Sequence, residues 1–354
     1  MLSFISAKEA SEKWNISQRR VSLLCSENRV DGAMMVGNMW IIPSNAEKPI
    51  DKRSIRYEKS IHKELKPFVK WVGGKSQLVN QLEQFLIDNK KVYTKYAEPM
   101  VGGGAFLFNV LSKYKFKEIY ISDINAELIN VYNVIKNQVC DLIKNLNEMQ
   151  TTFLSMDENG RKFYYYAIRD KFNNTILADS TAVDKASYFI FLNKTCFNGL
   201  YRVNKKGQFN VPMGAYKNPT ICDMDNLKNV SLALKNVIIE CGDYTLSKNF
   251  IDNNTFVYLD PPYRPLSQTS MFTSYNSDGF DDKEQLRLAN FINEVNQLGA
   301  KIVLSNSDPK NVDSNDQFFD ELYSGYNIKR VDATRMINSK ADSRGKIKEL
   351  IISN

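Results

Sequence analysis

Histidine is nearly missing. The 354 residues contain one, His62, in a charged segment. That argues against a histidine-dependent triad and a histidine-ligated metal. Cysteine is sparse and unpatterned: Cys25, Cys140, Cys196, Cys222 and Cys241 include no Cys-x-x-Cys pair. That argues against a zinc site and for a reducing, cytoplasmic setting. No apolar run approaches a membrane span, and nothing at the N-terminus resembles a signal peptide. Carboxylates are absent over one long stretch. Between Asp184 and Asp223 there is no Asp or Glu, while Lys185, Lys194, Arg202, Lys205, Lys206 and Lys217 are basic. Phe197, Tyr201, Phe209 and Tyr216 interleave with them, and Gly199, Gly207 and Gly214 mark turns. Cations for phosphate and rings for bases make this the composition of a nucleic-acid-contacting hairpin. The net charge of +7 agrees with an anionic partner.

What is present centres on residues 256 to 263. The apolar run Phe256 to Leu259 reads as a buried strand, and Pro261 and Pro262 must end it because proline cannot donate to a ladder. Asp260, a stiff backbone and the ring of Tyr263 are thus held at the carboxyl end of a strand, where open α/β sheets bind ligands. A carboxylate and a proline carbonyl are both acceptors. On a rigid frame they suit a planar amino group with two N–H donors, and Tyr263 offers a face for stacking. Gripping both hydrogens pushes the nitrogen lone pair out of conjugation and toward an electrophile.

A second feature lies upstream. Ala97 to Phe106, containing Glu98, Pro99, Gly102, Gly103 and Gly104, follows a strand and precedes a helix, so backbone there can approach a ligand closely. Strand Tyr120 to Asp123 ends in an acid about 20 residues after the glycine turn, the placement that suits a ribose diol. The dinucleotide fingerprint needs Gly or Ala at 107 and finds Leu107, which disfavours NAD. Gly74-Lys75-Ser76 invites a P-loop reading, but that motif needs glycine at 69, where valine stands. Further strands read at Ile238 to Glu240, before Asp243, and at Ile302 to Asn306. Helical patterns fill Glu127 to about Ala178.

The first residues form a separable unit. Ser6 caps a helix through Trp14, Ser17 caps a second from Gln18 to about Asn28, and residues 33–36 and 39–42 read as a hairpin. This resembles a small excisionase-like winged helix-turn-helix, with Gln18, Arg19, Arg20 and Ser22 toward DNA, the alternative being a small protein-docking or stabilising module. Pro43 to Lys66 reads as a charged linker with a short helix from Ile55 to Leu65.

Asp260-Pro261-Pro262-Tyr263 after an apolar strand resembles the catalytic motif of S-adenosylmethionine-dependent amino methyltransferases. The motif order narrows the resemblance, from about Pro67 to the C-terminus, to the Dam-like (D12 class, alpha group) DNA adenine methyltransferases. That resemblance implies a Rossmann-like α/β methyltransferase domain over 67–354 with a mainly helical recognition insert near 142–235, after a winged helix-turn-helix at 1–45 and a linker at 46–66. It implies methyl transfer from S-adenosyl-L-methionine to adenine N6 in duplex GATC by base flipping, leaving S-adenosyl-L-homocysteine and needing no metal. It assigns catalysis to Asp260, Pro261, Pro262 and Tyr263. It assigns cofactor contact to Trp71, Lys75, Glu98, Pro99, Gly102, Gly103, Gly104, Asp123, Asp243, Tyr244 and Asp260. DNA contact goes to Lys70, Lys194, Phe197, Asn198, Leu200, Arg202, Asn210, Pro212 and Tyr216. Within that set Arg202 reads a G·C pair, Leu200 and Pro212 meet a thymine methyl, Lys70 and Tyr216 approach the first base pair, and Phe197 wedges into the stack. The loop Tyr275 to Phe280 is expected to close over the flipped nucleotide. Similar Pro-Pro-Tyr sites act on protein glutamine or RNA, but the basic aromatic hairpin favours duplex DNA. A non-catalytic DNA-binding regulator would have no chemical need for Asp123, Asp243 and Asp260.

Overall fold

The computed structural model describes residues 3–27, 29–49, 64–71, 75, 78–87, 91–174, 181–264, 280–334 and 346–354. His62, Gly73, Gly74, Ser76, most of the expected 55–65 helix and positions 275–279 of the expected closing loop lie outside them. The chain divides into two compact units, residues 1–56 with 89–91 and residues 57–88 with 92–354.

The first unit is built from short, well-capped pieces: β1 (Phe4–Ser6), α1 (Ala7–Trp14), α2 (Gln18–Ser26), β2 (Met34–Val36) and β3 (Met39–Pro43). Ser6 and Glu9 form a reciprocal capping box on α1, and Ser17 accepts from Arg20 N at the start of α2. Such a cap is worth about 1 kcal/mol. Asn15 closes α1 in the left-handed region, φ 52°, and Gly37 at φ 60° turns the β2–β3 hairpin. Two helices and a hairpin were legible in advance. β1 was not: it is three residues long and owes its existence to antiparallel pairing with β3. Ala10, Trp14, Val21, Leu24 and Ile42 share the small core.

In the second unit the chain runs α3 (Val79–Leu86), β4 (Lys95–Glu98), α4 (Ala105–Lys113), β5 (Glu118–Asp123), α5 (Ala126–Asn137), α6 (Val139–Ser155), α7 (Glu158–Asn173), α8 (Ala182–Thr195), α9 (Met224–Leu234), β6 (Val237–Cys241), β7 (Thr255–Leu259), α10 (Asp282–Gln297), β8 (Lys301–Ser307), α11 (Phe318–Leu322), β9 (Asn327–Thr334) and β10 (Lys346–Ser353). The strands form one sheet in the order β6-β5-β4-β7-β8-β10-β9. β6 through β8 are parallel; β10 is antiparallel to β8 and β9.

Both faces of the sheet are covered, which is why β7 is apolar throughout. Phe256 and Tyr258 join a core with α3 to α9, while Val257 and Leu259 join a second core with α10 and α11. The same alternation holds at Tyr96 and Ala97 of β4, Ile121 and Tyr120 of β5, and Ile351 and Leu350 of β10. Full burial of such a side chain contributes about 1.5–3 kcal/mol. The expected mixed, largely parallel α/β architecture is the one observed. No described helix is long and apolar enough to cross a membrane.

Candidate active site

The strand order turns at β4. The chain leaves β4 through α4 to β5 on one side, while β7 pairs with β4 on the other. A crevice at the carboxyl ends follows from that topology. Three acids stand at or just past these ends: Glu98 after β4, Asp123 after β5 and Asp260 after β7.

Asp260 is held by a lysine far from it in sequence. Lys75 Nζ lies 3.1 Å from Asp260 Oδ1 and 3.2 Å from Glu349 Oε2, and donates to the Tyr263 hydroxyl. The lysine side chain is only 3% exposed. Burial alone would lower its pKa, but Asp260, Tyr263 and Glu349 together outweigh burial, and Lys75 keeps its proton well above the ordinary lysine range. Burial pushes the Asp260 carboxyl up to about 6, with Lys75 opposing and Glu349 reinforcing the rise. The prolines are anchored too. Pro261 is buried, and Gln285 of α10 donates to the Pro262 carbonyl at 3.4 Å while itself accepting from Asn306 of β8 at 3.3 Å. Arg264 closes the motif with a bidentate pair to Asp282, 2.6 and 2.9 Å, and a 2.6 Å bond to Asp316.

The glycine turn wraps around Asp123. Gly102 N donates to Asp123 Oδ2 and Asn125 N to Oδ1, both at 2.9 Å. Each carboxylate oxygen retains acceptor capacity for a hydroxyl. Burial raises the Asp123 pKa, and the backbone N–H groups of Asn125, Gly102 and Ile124 pull it partly back. Gly102 has φ 48°, and a methyl group there would come within 2.9 Å of the Trp71 ring; at Gly103 the distance to Trp71 would be 2.7 Å. Glycine is required at both positions because Trp71 is packed onto the turn. Pro99 belongs to the same turn, its carbonyl accepting from Ser122 at 3.3 Å, and Gly104 at φ 71° starts α4. Glu98 is 2% exposed; burial holds its carboxyl well above the carboxylate range against a hydrogen bond from Tyr96. Asp243 is occupied differently. Arg287 grips it at 3.1 and 2.7 Å and depresses its carboxyl to about 2. Tyr244 is buried against Phe291.

The basic stretch folds as an irregular hairpin with bridges Cys196–Met213 and Val203–Phe209 and a tip at Lys205, Lys206 and Gly207. Arg202 is exposed, and its Nε donates to Asn210 Oδ1 at 2.7 Å. Phe197 is 52% exposed, Asn198 beside it is exposed at φ 54°, and Phe197 N donates to the carbonyl of exposed Pro212. Leu200 is half-buried. Lys70 Nζ sits 3.9 Å from the centre of the Tyr216 ring, so the two residues assigned to one base pair are neighbours. Lys194 is half-buried, and burial together with Lys70 lowers its pKa. One expectation needs correction: not all four interleaved rings face outward. Phe209 is 3% exposed, and Tyr201 stacks on Trp71 at 5.8 Å, so these two build the hairpin base, leaving Phe197 and Tyr216 for a partner.

Four contributors escaped the sequence reading. Asn193 of α8 accepts from Lys70 N at 2.7 Å and donates to the carbonyls of Lys70 and Gly199 at 2.8 and 3.0 Å. Gln285 and Arg264 anchor the motif as described. Glu349 had a signal: in β10 it shares the face of Ile347 and Ile351, and an acid pointing inward demands a partner.

Comparison with known proteins agrees with this geometry. The family model for D12 class N6 adenine-specific DNA methyltransferases matches residues 71–337. The chain is similar to the Type II methyltransferase M.MjaIII of Methanocaldococcus jannaschii, 53% identical over 294 residues, 82% of this chain and 99% of that one. It is similar to the Type II methyltransferase M1.LlaDCHI of Lactococcus lactis subsp. cremoris, 38% identical over 82% of this chain and 95% of that one. A DNA adenine methylase of Haemophilus influenzae is 34% identical over 81% of this chain and 92% of its own length.

Proposed function

The chain belongs to the D12 class N6 adenine-specific DNA methyltransferases, and from that premise we propose that it methylates the adenine of GATC after flipping that base out of the duplex. Its substrate is double-stranded DNA and its methyl donor S-adenosylmethionine. When bound, the donor supplies an electrophilic methyl group whose sulfur leaves with the bonding pair. The residues at the strand ends fit it: Asp123 has acceptor capacity for a diol, Glu98 and Asp260 line the crevice with acid, and exposed Ile124 offers an apolar rim beside Asp123.

Asp260 and the Pro261 carbonyl accept the two hydrogens of the adenine amine, and Tyr263 stacks on the base. As the new C–N bond forms, the nitrogen commits its lone pair and releases one proton, which Asp260 accepts and passes to solvent. Lys75 keeps Asp260 oriented. Arg202 carries the sequence reading. Asn210 fixes its Nε, and the terminal amino groups make no hydrogen bond among the described residues, so the fork is free for guanine O6 and N7. Lys70 and Tyr216 approach the first pair. Gln18 and Arg19, exposed at the start of α2, give the N-terminal unit its own DNA contact in winged helix-turn-helix fashion. The Type II names of two relatives support a restriction-modification role.

The observation that carries the reading is the Lys75–Asp260 pair next to the Pro261 carbonyl at the end of β7. The test is methylation-aware sequencing of DNA from cells expressing the protein. Methylated adenine confined to GATC is expected; a dominant product elsewhere overturns the target. A 2-aminopurine at the target position should brighten on binding if the base is flipped.

A further inference from the structure

We propose that Glu349 is a positioning residue of the methyl transfer, one that shares Lys75 with Asp260 and thereby sets how readily Asp260 accepts the amine proton. The inference rests on the reading of Asp260 as that acceptor.

Three observations lead there. Lys75 lies 3.1 Å from Asp260 and 3.2 Å from Glu349, with side-chain exposures of 3%, 21% and 12%, the Glu349 contact being an ion pair in which its Oε2 has no hydrogen-bond partner. One cation between two carboxylates leaves the trio with net charge −1. Glu349 also occupies an inward position of β10, on the face of Ile347 and Ile351 that joins the larger core. Stability does not explain it there, because buried ionic groups are commonly no better than a well-packed apolar residue of similar volume. The remaining explanation is electrostatic. A lysine devoted to Asp260 alone would hold its negative charge tightly and make it a poor proton acceptor. A second carboxylate draws the ammonium away while leaving Asp260 oriented.

Among the described residues, the other groups facing Asp260 are Glu98 of β4, Tyr258 of β7 and Tyr263 of its own motif. Tyr258 is tied to Ser305 at 2.9 Å, and Glu98 accepts from Tyr96. Among these groups, Glu349 is the carboxylate that touches Asp260's lysine. The Asp260 carboxyl stands at about 6, raised chiefly by burial, with Glu349 acting in the same direction. Removing the Glu349 charge therefore lowers the Asp260 pKa. Because Asp260 must be ionised to accept, the acid limb of the rate profile moves to lower pH, while the plateau falls with the lost basicity.

The test uses the full chain and unmethylated plasmid DNA, so that it does not depend on which sequence is the target. Methyl transfer by wild type, Glu349→Gln, Glu349→Asp and Asp260→Asn is followed from about pH 5 to 9, a window spanning the Asp260 transition. For Glu349→Gln we expect kcat lower by on the order of tenfold, KM for DNA within about twofold, and an acid limb displaced downward by about half a pH unit. S-adenosylmethionine affinity, read by calorimetry, should stay near wild type, and Glu349→Asp should recover most of kcat and the limb position. A Glu349→Gln enzyme with the wild-type acid limb, or one whose kcat falls with the limb unmoved, overturns the proposal. If Glu349→Gln does not fold, Glu349→Met, which also removes the charge at similar volume, decides: an acid limb displaced to lower pH with a reduced kcat supports the proposal, and an unmoved limb refutes it. Asp260→Asn separates the two levels. Wild-type turnover there refutes the role of Asp260 itself, whereas a dead Asp260→Asn beside a normal Glu349→Gln refutes only the role of Glu349.

Discussion

The crevice at the strand ends and the hairpin at 196–213 hold their charges in opposite ways. In the crevice, Lys75 is 3% exposed and surrounded by Asp260, Glu349 and Tyr263. On the hairpin, Arg202, Lys205 and Lys206 are exposed, and Arg202 is fixed at one nitrogen only. The difference matches the roles proposed for the two regions. Proton chemistry needs groups deprived of water, so that a neighbour shifts their behaviour strongly. Reading a partner needs groups whose hydrogen-bonding capacity is still open.

The contrast breaks most visibly at Asp260. Asp260→Ala should reduce turnover by at least about 10²–10⁴-fold in single-turnover assays, while DNA binding by gel shift survives, since phosphate contacts elsewhere supply it. Retained turnover would show that the crevice charges are structural. In the wild type, the rate should fall as the pH drops through about 6, because a protonated Asp260 cannot accept; a flat profile down to pH 5 would contradict the burial-driven rise. The hairpin predicts a milder, selective defect. Arg202→Ala should cost about 1–3 kcal/mol of discrimination at one G·C pair, measured as kcat/KM against substituted duplexes, with kcat on any accepted site preserved. Lys205→Ala or Lys206→Ala should weaken binding evenly across sequences and reduce the slope of log K against log salt by about one. The smallest effect belongs to the N-terminal unit. A chain starting near Lys59 should fold and keep its target, losing affinity only; loss of site specificity on sequencing would make that unit part of the catalytic body.

Legibility in the sequence divided along the same line. β7 and its motif were readable because an apolar run stopped by two prolines is a local signal, and the serine caps of α1 and α2 were readable for the same reason. Lys75 was expected beside the cofactor, and its pairing with Asp260 was not foreseen. The arrival of Glu349 beside that pair depends on β10 lying next to β8 and β8 next to β7, which no short window of residues specifies. Tyr201 and Phe209 were misread for a related reason. Aromatic density does not say which rings face inward, and Trp71 and Phe172, from distant segments, claim them. Asn193, a single buried amide on α8, was invisible until the Lys70 backbone arrived beside it.

The alternation of β7 between the two cores has an evolutionary consequence. Phe256 and Tyr258 face one side, and Val257 and Leu259 the other. One residue inserted or deleted within this strand would exchange the faces of everything beyond it. Asp260 would then swing away from Lys75 and Glu349 in a single step, although every motif residue was still present. Conservative replacement of an apolar residue keeps that phase and is expected to be mild. The site can therefore drift by substitution but is closed to change of length at β7, whereas the exposed Lys205 and Lys206 at the hairpin tip have room to vary. Affinity for DNA is accordingly adjustable at the tip while the chemistry at the strand end stays in register.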